Sequence, residues 1–175
     1  LNLFARPLKS TSSAKKKNKR KSAVREQNSM ELSAARSLIF NQILAARVQD
    51  GSWNTGLNGE VFNLNGSGSI FASEHMDETL QARLASGDIH PTAVMWGTGN
   101  NKVAGEAAEL ENTVVQQDAL LAALATGLEQ REVKAQRRAL RLPVEDLSCR
   151  WADEQNEEQT LALSFTLTTG SFATS

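Results

Sequence analysis

The chain has 175 residues, of which 22% are charged and 40% are hydrophobic. This length supports one domain with its own core, stable without disulfides or a structural metal. Cys149 is the only cysteine, which excludes an internal disulfide and agrees with a cytoplasmic protein, and no apolar run reaches the roughly 20 residues that span a bilayer.

The net charge of −1 conceals an uneven distribution. Residues 1–28 contain nine basic residues and one acid, so this segment carries +8 and the rest of the chain −9. Such a division predicts a basic arm that meets a polyanion. The residues that we expect to bind RNA are Lys15, Lys16, Lys17, Lys19, Arg20, Lys21 and Arg25. The alternatives are a solvated loop without a ligand, or a loop that binds an acidic protein partner.

The first third of the chain predicts a loop, a helix and a β-hairpin. Residues 7–29 have no apolar periodicity and predict a mobile loop. A helix is expected to begin near Ser29 and to end at Asp50-Gly51, because apolar residues recur at helical spacing between them. Apolar and polar residues alternate in 60–64, apart from Val61, and the pattern predicts a hairpin with 69–71 across the Asn/Gly/Ser turn that separates them.

The remainder predicts a mixed α/β body followed by a terminal β unit. Two helices are expected, a short one over 76–84 and a long one over 105–130 that breaks at Asn112 or Asp118. A loop leading into a strand is expected over 89–95, where Pro91 fixes the entry. Strands are predicted over 137–142, 147–151 and 160–167, with Pro143 ending the first and an acidic turn at 153–158 joining the other two.

No local motif in the chain indicates a catalytic residue. The run Gly97-Thr98-Gly99 lacks the third glycine of a nucleotide-binding turn, and neither histidine has a partner at metal-ligand spacing. A second basic cluster follows the long helix: Arg131, Lys134, Arg137, Arg138 and Arg141. On a helix, residues 131, 134 and 138 would share a face, and pairing with Glu129, Glu132 and Glu145 is the alternative to RNA contact.

Two segments carry a resemblance to a known family. Residues 32–42 (LSAARSLIFNQ) and 170–175 (GSFATS) resemble the helix-opening motif and the C-terminal motif of the tRNA pseudouridine synthase D (TruD) family. Weaker matches lie between them in the expected order, at 59–61, 66–69, 96–97, 106–107 and 137–140. The resemblance covers the chain from about residue 29 to its end.

The resemblance implies an isomerase that converts uridine-13 of a tRNA to pseudouridine without a metal or an organic cofactor. It implies that the catalytic aspartate lies in an N-terminal half outside this sequence, so no aspartate here is assigned that role. Phe172 matches the phenylalanine that lies against the substrate base, and the alternative is a core position in a terminal strand. Arg36 and Asn41 match family positions that either contact RNA or join the helix to its neighbour. The alternative is a non-catalytic module that binds RNA or protein.

The resemblance also implies a domain division. We expect a basic flexible segment over 1–28, an inserted TRUD-type α/β domain over 29–146, and the start of the returning catalytic β segment over 147–175. The first residue is leucine and the C-terminal motif is incomplete, so we expect a piece of a larger enzyme. Its partners would be tRNA and the remaining N-terminal half, without a membrane.

Overall fold

A computed structural model describes the backbone of residues 12–152 and 160–167, and the side chains of residues 29–151 and 160–167. The described residues form the predicted mixed α/β fold. The elements are, in chain order, α1 (Ser12–Gln49), a 3₁₀ turn (Ser52–Asn54), β1 (Val61–Leu64), β2 (Ile70–Ala72), α2 (Glu78–Ala85), β3 (Ile89–Met95), α3 (Gly105–Gln117), α4 (Ala119–Gln130), β4 (Gln136–Ala139), β5 (Val144–Ala152) and β6 (Thr160–Leu167).

Helix α1 is much longer than predicted. It begins at Ser12, so the loop expected over 7–29 is wrong from residue 12 onward, as is a helix start near Ser29. Residues 8–50 contain neither proline nor glycine and are rich in Lys, Arg, Ala and Gln, which are good helix formers. Apolar periodicity identifies a helix only where apolar residues recur along one face. It therefore could not identify the polar first half of α1 as helical.

Four antiparallel strands form the central sheet in the order β2-β1-β3-β4. The predicted hairpin is confirmed, with Phe62 of β1 opposite Phe71 of β2. The loop expected before the third strand is wrong, because β3 already begins at Ile89 and contains Pro91. The carbonyl oxygen of Pro91 accepts the N–H of Leu140 at 2.8 Å, and Leu140 lies one residue beyond β4. The N–H that proline lacks would point to the same side, past the end of β4. Proline is tolerated there because no hydrogen bond within β4 is lost.

The helices pack on the sheet through two apolar clusters. The larger joins α1, α3 and α4 to β3, and the smaller joins α2 to β1 and β3. The predicted break in the long helix falls at Asp118, whose Oδ1 accepts the N–H groups of Leu120 and Leu121 at 2.7 and 3.1 Å. A carboxylate at this position caps α4 and so fixes the corner between α3 and α4.

Strands β5 and β6 form a separate antiparallel pair, as predicted. The acidic turn expected at 153–158 lies outside the described residues. Since β5 begins at Val144, it crosses the expected boundary between 146 and 147, and the domain division stays a prediction. Within the part of the chain that the structure describes, no helix is both long enough and apolar enough to cross a membrane.

Candidate nucleic-acid interface

The first half of α1 holds the basic residues singled out from the sequence. All seven, from Lys15 to Arg25, lie on its helical backbone, although their side chains are outside the described set. Residues 12–28 span about 25 Å at the α-helical rise. The same helix continues to Ile39 and Ile43, which are fully buried. The basic positions therefore belong to a regular element anchored in the core, and their contact with RNA stays a prediction.

Arg36 connects α1 to the sheet. Its Nη2 lies 3.2 Å from the carbonyl oxygens of Met95 and Lys134 and 3.2 Å from Oε1 of Gln136. Burial lowers the pKa of Arg36. Its guanidinium is therefore engaged with the protein itself, whereas Asn41, the other matching position on α1, is exposed.

The second basic cluster is not helical. Residues 136–139 form β4, where alternate side chains point to opposite faces. Arg137 turns inward and pairs with Glu111 of α3 at 2.9 Å, while the guanidinium of Arg138 lies 5.3 Å from the ring centre of Phe40. Among the described residues, no ion pair joins the cluster to Glu129, Glu132 or Glu145, so the expected alternative partners are also wrong.

Arg137 and Glu111 form a buried ion pair with well-satisfied hydrogen bonds. Their side chains are 2% and 4% exposed. Arg137 also donates to Oγ1 and to the carbonyl oxygen of Thr92 at 2.9 and 2.7 Å, and Glu111 accepts the N–H of Val94 at 3.2 Å. Burial raises the pKa of Glu111, and the adjacent Arg137 opposes that shift. The pair fastens α3 to β3 and β4.

A second buried ion pair joins α1 to the start of β1. Arg47 Nη2 lies 2.8 Å from Glu60 Oε2 and donates to the carbonyl oxygen of Ser52 at 2.9 Å. The sequence held a signal for this pair, because Arg47 follows Ile39 and Ile43 at intervals of four on the buried face of α1. A charge at core spacing indicates a buried partner, since an isolated buried charge is very costly.

The described aspartates have local structural roles. Asp77 caps α2 by accepting the N–H of Leu80 at 2.7 Å, and Asp118 caps α4. Asp50 accepts the N–H of Ser52, and Asp88 pairs with Arg83. Asp146 accepts from the hydroxyl of Thr166 at 3.3 Å, and Asp153 lies outside the described residues.

The two histidines differ in their surroundings. His75 is exposed, while His90 is 4% exposed in β3, where its Nδ1 accepts from Nε of Arg141 at 2.8 Å. Its Nε2 lies 3.1 Å from Oδ1 of Asn65. Burial and the charge of Arg141 lower the pKa of His90. Within the described ranges, no group of three His, Cys, Asp or Glu side chains could hold a metal ion.

The β5–β6 hairpin presents apolar side chains to solvent. Leu147, Trp151 and Leu163 are 65%, 64% and 58% exposed. A two-stranded hairpin is marginally stable by itself in water, and large exposed apolar side chains indicate an interaction surface. Phe172, the residue expected beside the substrate base, follows β6 but lies outside the described residues.

Comparison with known proteins defines the family. The family profile described as tRNA pseudouridine synthase D (TruD) matches residues 9–175. The chain is 68% identical over its whole length to tRNA pseudouridine synthase D of Psychrobacter arcticus, covering 43% of that protein. It is 47% identical over 149 residues to the protein of the same name from Xanthomonas euvesicatoria, which matches 85% of this chain and 39% of that protein.

A solved chain from Methanosarcina mazei, whose description names tRNA pseudouridine synthase D, matches with a TM-score of 0.59 and 26% identity. The match covers 79% of this chain and 34% of that one. Together these matches show a mixed α/β member of an RNA-modifying family. The chain belongs to the tRNA pseudouridine synthase D (TruD) family, and it spans less than half the length of these relatives.

Proposed function

We propose that this chain forms part of a synthase that isomerises uridine-13 of tRNA to pseudouridine. The observation that carries the proposal is the family match over residues 9–175, together with 68% identity to a named synthase over the whole chain. In this reaction the uracil is detached from its ribose, turned and rejoined through carbon, so no atom is gained or lost. No oxidant, metal or organic cofactor is required for that balance, and the proposed setting is the cytoplasm.

We infer that the catalytic aspartate of the proposed enzyme belongs to a part of the relatives that this chain does not span. The target nucleotide must leave the helical stack before any enzyme group can reach its glycosidic bond. A flipped uracil loses its stacking neighbours, and an aromatic ring can replace them. We assign that role to Phe172 on the basis of the family motif at 170–175.

The β5–β6 hairpin is the proposed connection to the remainder of the enzyme. The exposed side chains of Leu147, Trp151 and Leu163 supply an apolar surface that a second structural unit would cover. Phe172 lies only five residues after Leu167, the last residue of β6. We propose that this hairpin docks against the rest of the enzyme and that the docking brings Phe172 to the catalytic aspartate.

Lys15, Lys16, Lys17, Lys19, Arg20, Lys21 and Arg25 are the proposed contacts to the tRNA backbone. Each phosphate that a Lys or Arg neutralises releases condensed counterions, which makes affinity depend on salt. The positions occupy an anchored helix, so their backbones keep a regular spacing along the RNA. Such contacts give affinity and orientation rather than sequence reading.

The test uses the protein encoded by the complete reading frame that contains this chain. Replacing the six cations at 15–21 with glutamine should weaken tRNA binding and reduce the slope of log K against log salt by several units, at roughly 0.7–0.9 per lost phosphate contact. A control replaces Lys102 and Arg150, two exposed basic residues outside both basic clusters, with glutamine. Unchanged affinity and slope in the first variant would exclude the basic helix as the RNA contact.

Activity is measured separately, by tritium release from uridine-labelled tRNA. The complete protein should turn over its substrate, and the 175-residue chain alone should not, since it lacks the proposed nucleophile. Turnover by the chain alone would refute the assignment of the aspartate to another part of the enzyme.

A further inference from the structure

A cavity of about 530 Å³ opens between the 3₁₀ turn, α2 and the residues that follow β4. Its walls include an apolar part, formed by Met76 and Leu84, and a polar part, formed by Asn54, Thr55 and Gln81. Among the described residues that line the cavity, Arg141 is the only one with a charged side chain. The cavity therefore combines one positive charge with neutral hydrogen-bonding groups and an apolar wall.

Arg141 is held in place by four hydrogen bonds to neutral groups. Nε donates to Nδ1 of His90 at 2.8 Å, Nη1 donates to Asn54, and Nη2 donates to the carbonyl oxygens of Leu84 and Ile89 at 2.7 Å each. A guanidinium has five N–H donors, so one Nη1 hydrogen has no acceptor among the described residues. The side chain is thus fixed before any ligand arrives.

The charge of Arg141 is not matched by a carboxylate. Arg47 and Arg137 are paired with Glu60 and Glu111, but no described acid lies within ion-pair distance of Arg141. Burial lowers the pKa of Arg141, which shows that its charge has a desolvation cost. Neighbouring carbonyl oxygens offset part of that cost, and an anion would offset more because guanidinium binds oxyanions strongly.

We propose that the cavity beside Arg141 binds a phosphate group, with the adjoining sugar or base against Met76 and Leu84. This rests on the proposed tRNA substrate when the phosphate belongs to the RNA backbone, whereas a free nucleotide offers the same chemistry. The position differs from the basic half of α1, because Arg141 is prepositioned and half-buried. It would therefore hold one phosphate in a fixed place.

Gln81 provides a test that leaves Arg141 and its hydrogen bonds unchanged. Gln81 is exposed on α2 and lines the cavity, and Glu and Lys have helix propensities similar to that of Gln. Gln81→Glu places a competing negative charge beside the site, and Gln81→Lys adds a positive one. Gln116→Glu and Gln116→Lys make the same changes at an exposed position of α3 that does not line the cavity.

Both ligand sources are titrated at low ionic strength with the protein from the complete reading frame, using tRNA in one arm and uridine 5′-monophosphate in the other. We expect Gln81→Glu to weaken binding about fivefold and Gln81→Lys to strengthen it by a similar factor, from the size of a screened charge interaction across a few ångströms. The Gln116 variants should change affinity less than twofold. Equal thermal midpoints confirm that all four variants are folded.

The arm that responds to the charge at Gln81 identifies the source of the phosphate. If neither arm separates the Gln81 variants from the Gln116 variants, the phosphate site is refuted. Pseudouridine formation is measured on the same samples. If the wild type turns over tRNA but the Gln81 variants bind both ligands as the wild type does, the phosphate site is refuted and the proposed enzyme is not. Absence of turnover with a Gln81 effect on the mononucleotide refutes the proposed enzyme and supports the cavity.

Discussion

Replacing Glu111 with glutamine should strongly destabilise the fold. The substitution keeps the size of the side chain, so it opens no cavity and changes mainly the charge. It leaves the Arg137 guanidinium buried, with its side chain 2% exposed and without a counter-charge. Arginine cannot lose its proton to escape this cost. Two guanidinium contacts, at 2.9 and 3.0 Å, lose their ionic partner.

Breaking a buried ion pair on one side costs about 3–5 kcal/mol, against a total stability of about 5–15 kcal/mol for a domain. Since glutamine can still accept one hydrogen bond, we expect a loss of about 3 kcal/mol for Glu111→Gln. The reverse variant, Arg137→Gln, should behave differently because a carboxyl group can take up a proton. Its cost should grow by about 1.4 kcal/mol per pH unit above the raised folded pKa that Glu111 has in the wild type, up to the still higher pKa that the carboxyl acquires without Arg137.

Urea unfolding of the chain, followed by tryptophan fluorescence, measures both effects. Glu109→Gln is the control, because Glu109 is exposed on the same helix two residues earlier, and it should change stability by less than about 0.5 kcal/mol. A loss for Glu111→Gln no greater than that of Glu109→Gln would show that the ion pair does not hold α3 to the sheet. A pH-independent cost for Arg137→Gln would contradict the account of the freed carboxyl.

Three further outcomes are expected. His90 has a folded pKa below its ordinary 6.5, so its contribution to stability should be complete above pH 6.5 and should decline as the pH falls toward the lowered pKa. His90→Gln should remove this component of the pH–stability curve. Gly59→Ala should lower the free energy of unfolding by about 3 kcal/mol or more, because φ is +78 there and a Cβ would lie 1.9 Å from the Ala104 oxygen. Gly66→Ala, at φ +70 in open space, should lower it by only about 1 kcal/mol, and urea unfolding compares the two variants. Phe172→Ala should reduce kcat/KM on tRNA about 10- to 100-fold, whereas Phe172→Tyr should retain most activity. If the alanine variant and the wild type have the same kcat/KM, Phe172 does not contact the substrate base.

The sequence indicated most elements of the fold because local rules govern them. The hairpin of β1 and β2, the break at Asp118 and the β5–β6 pair follow from alternation, turn residues and capping chemistry. The first half of α1 was missed for a definite reason. Residues 12–28 contain few apolar residues and therefore leave no periodic signal, so a charged run of good helix formers looks the same as a loop in the sequence.

The candidate site was predictable to a smaller extent. Composition predicted the basic residues of α1 as RNA contacts, and the motif at 170–175 predicted Phe172 beside the substrate base. Both stay predictions, and neither pattern shows which cations are already engaged within the protein. Arg36, Arg137 and Arg141 are similar in a sequence, yet the structure directs each to different acceptors. Strand alternation decides that Arg137 turns inward while Arg138 does not, and a helical interpretation of the same residues gave the wrong neighbours.

What the sequence alone determined is therefore the class of fold, the family and the uneven charge, since these depend on the order and types of residues. Only the tertiary structure decided which charges are neutralised. Glu111 lies 26 residues from Arg137, and Arg141 meets His90 across 51 residues. Such partners are brought together by packing of the sheet and helices, and burial then sets whether each charge is paired or available to a ligand.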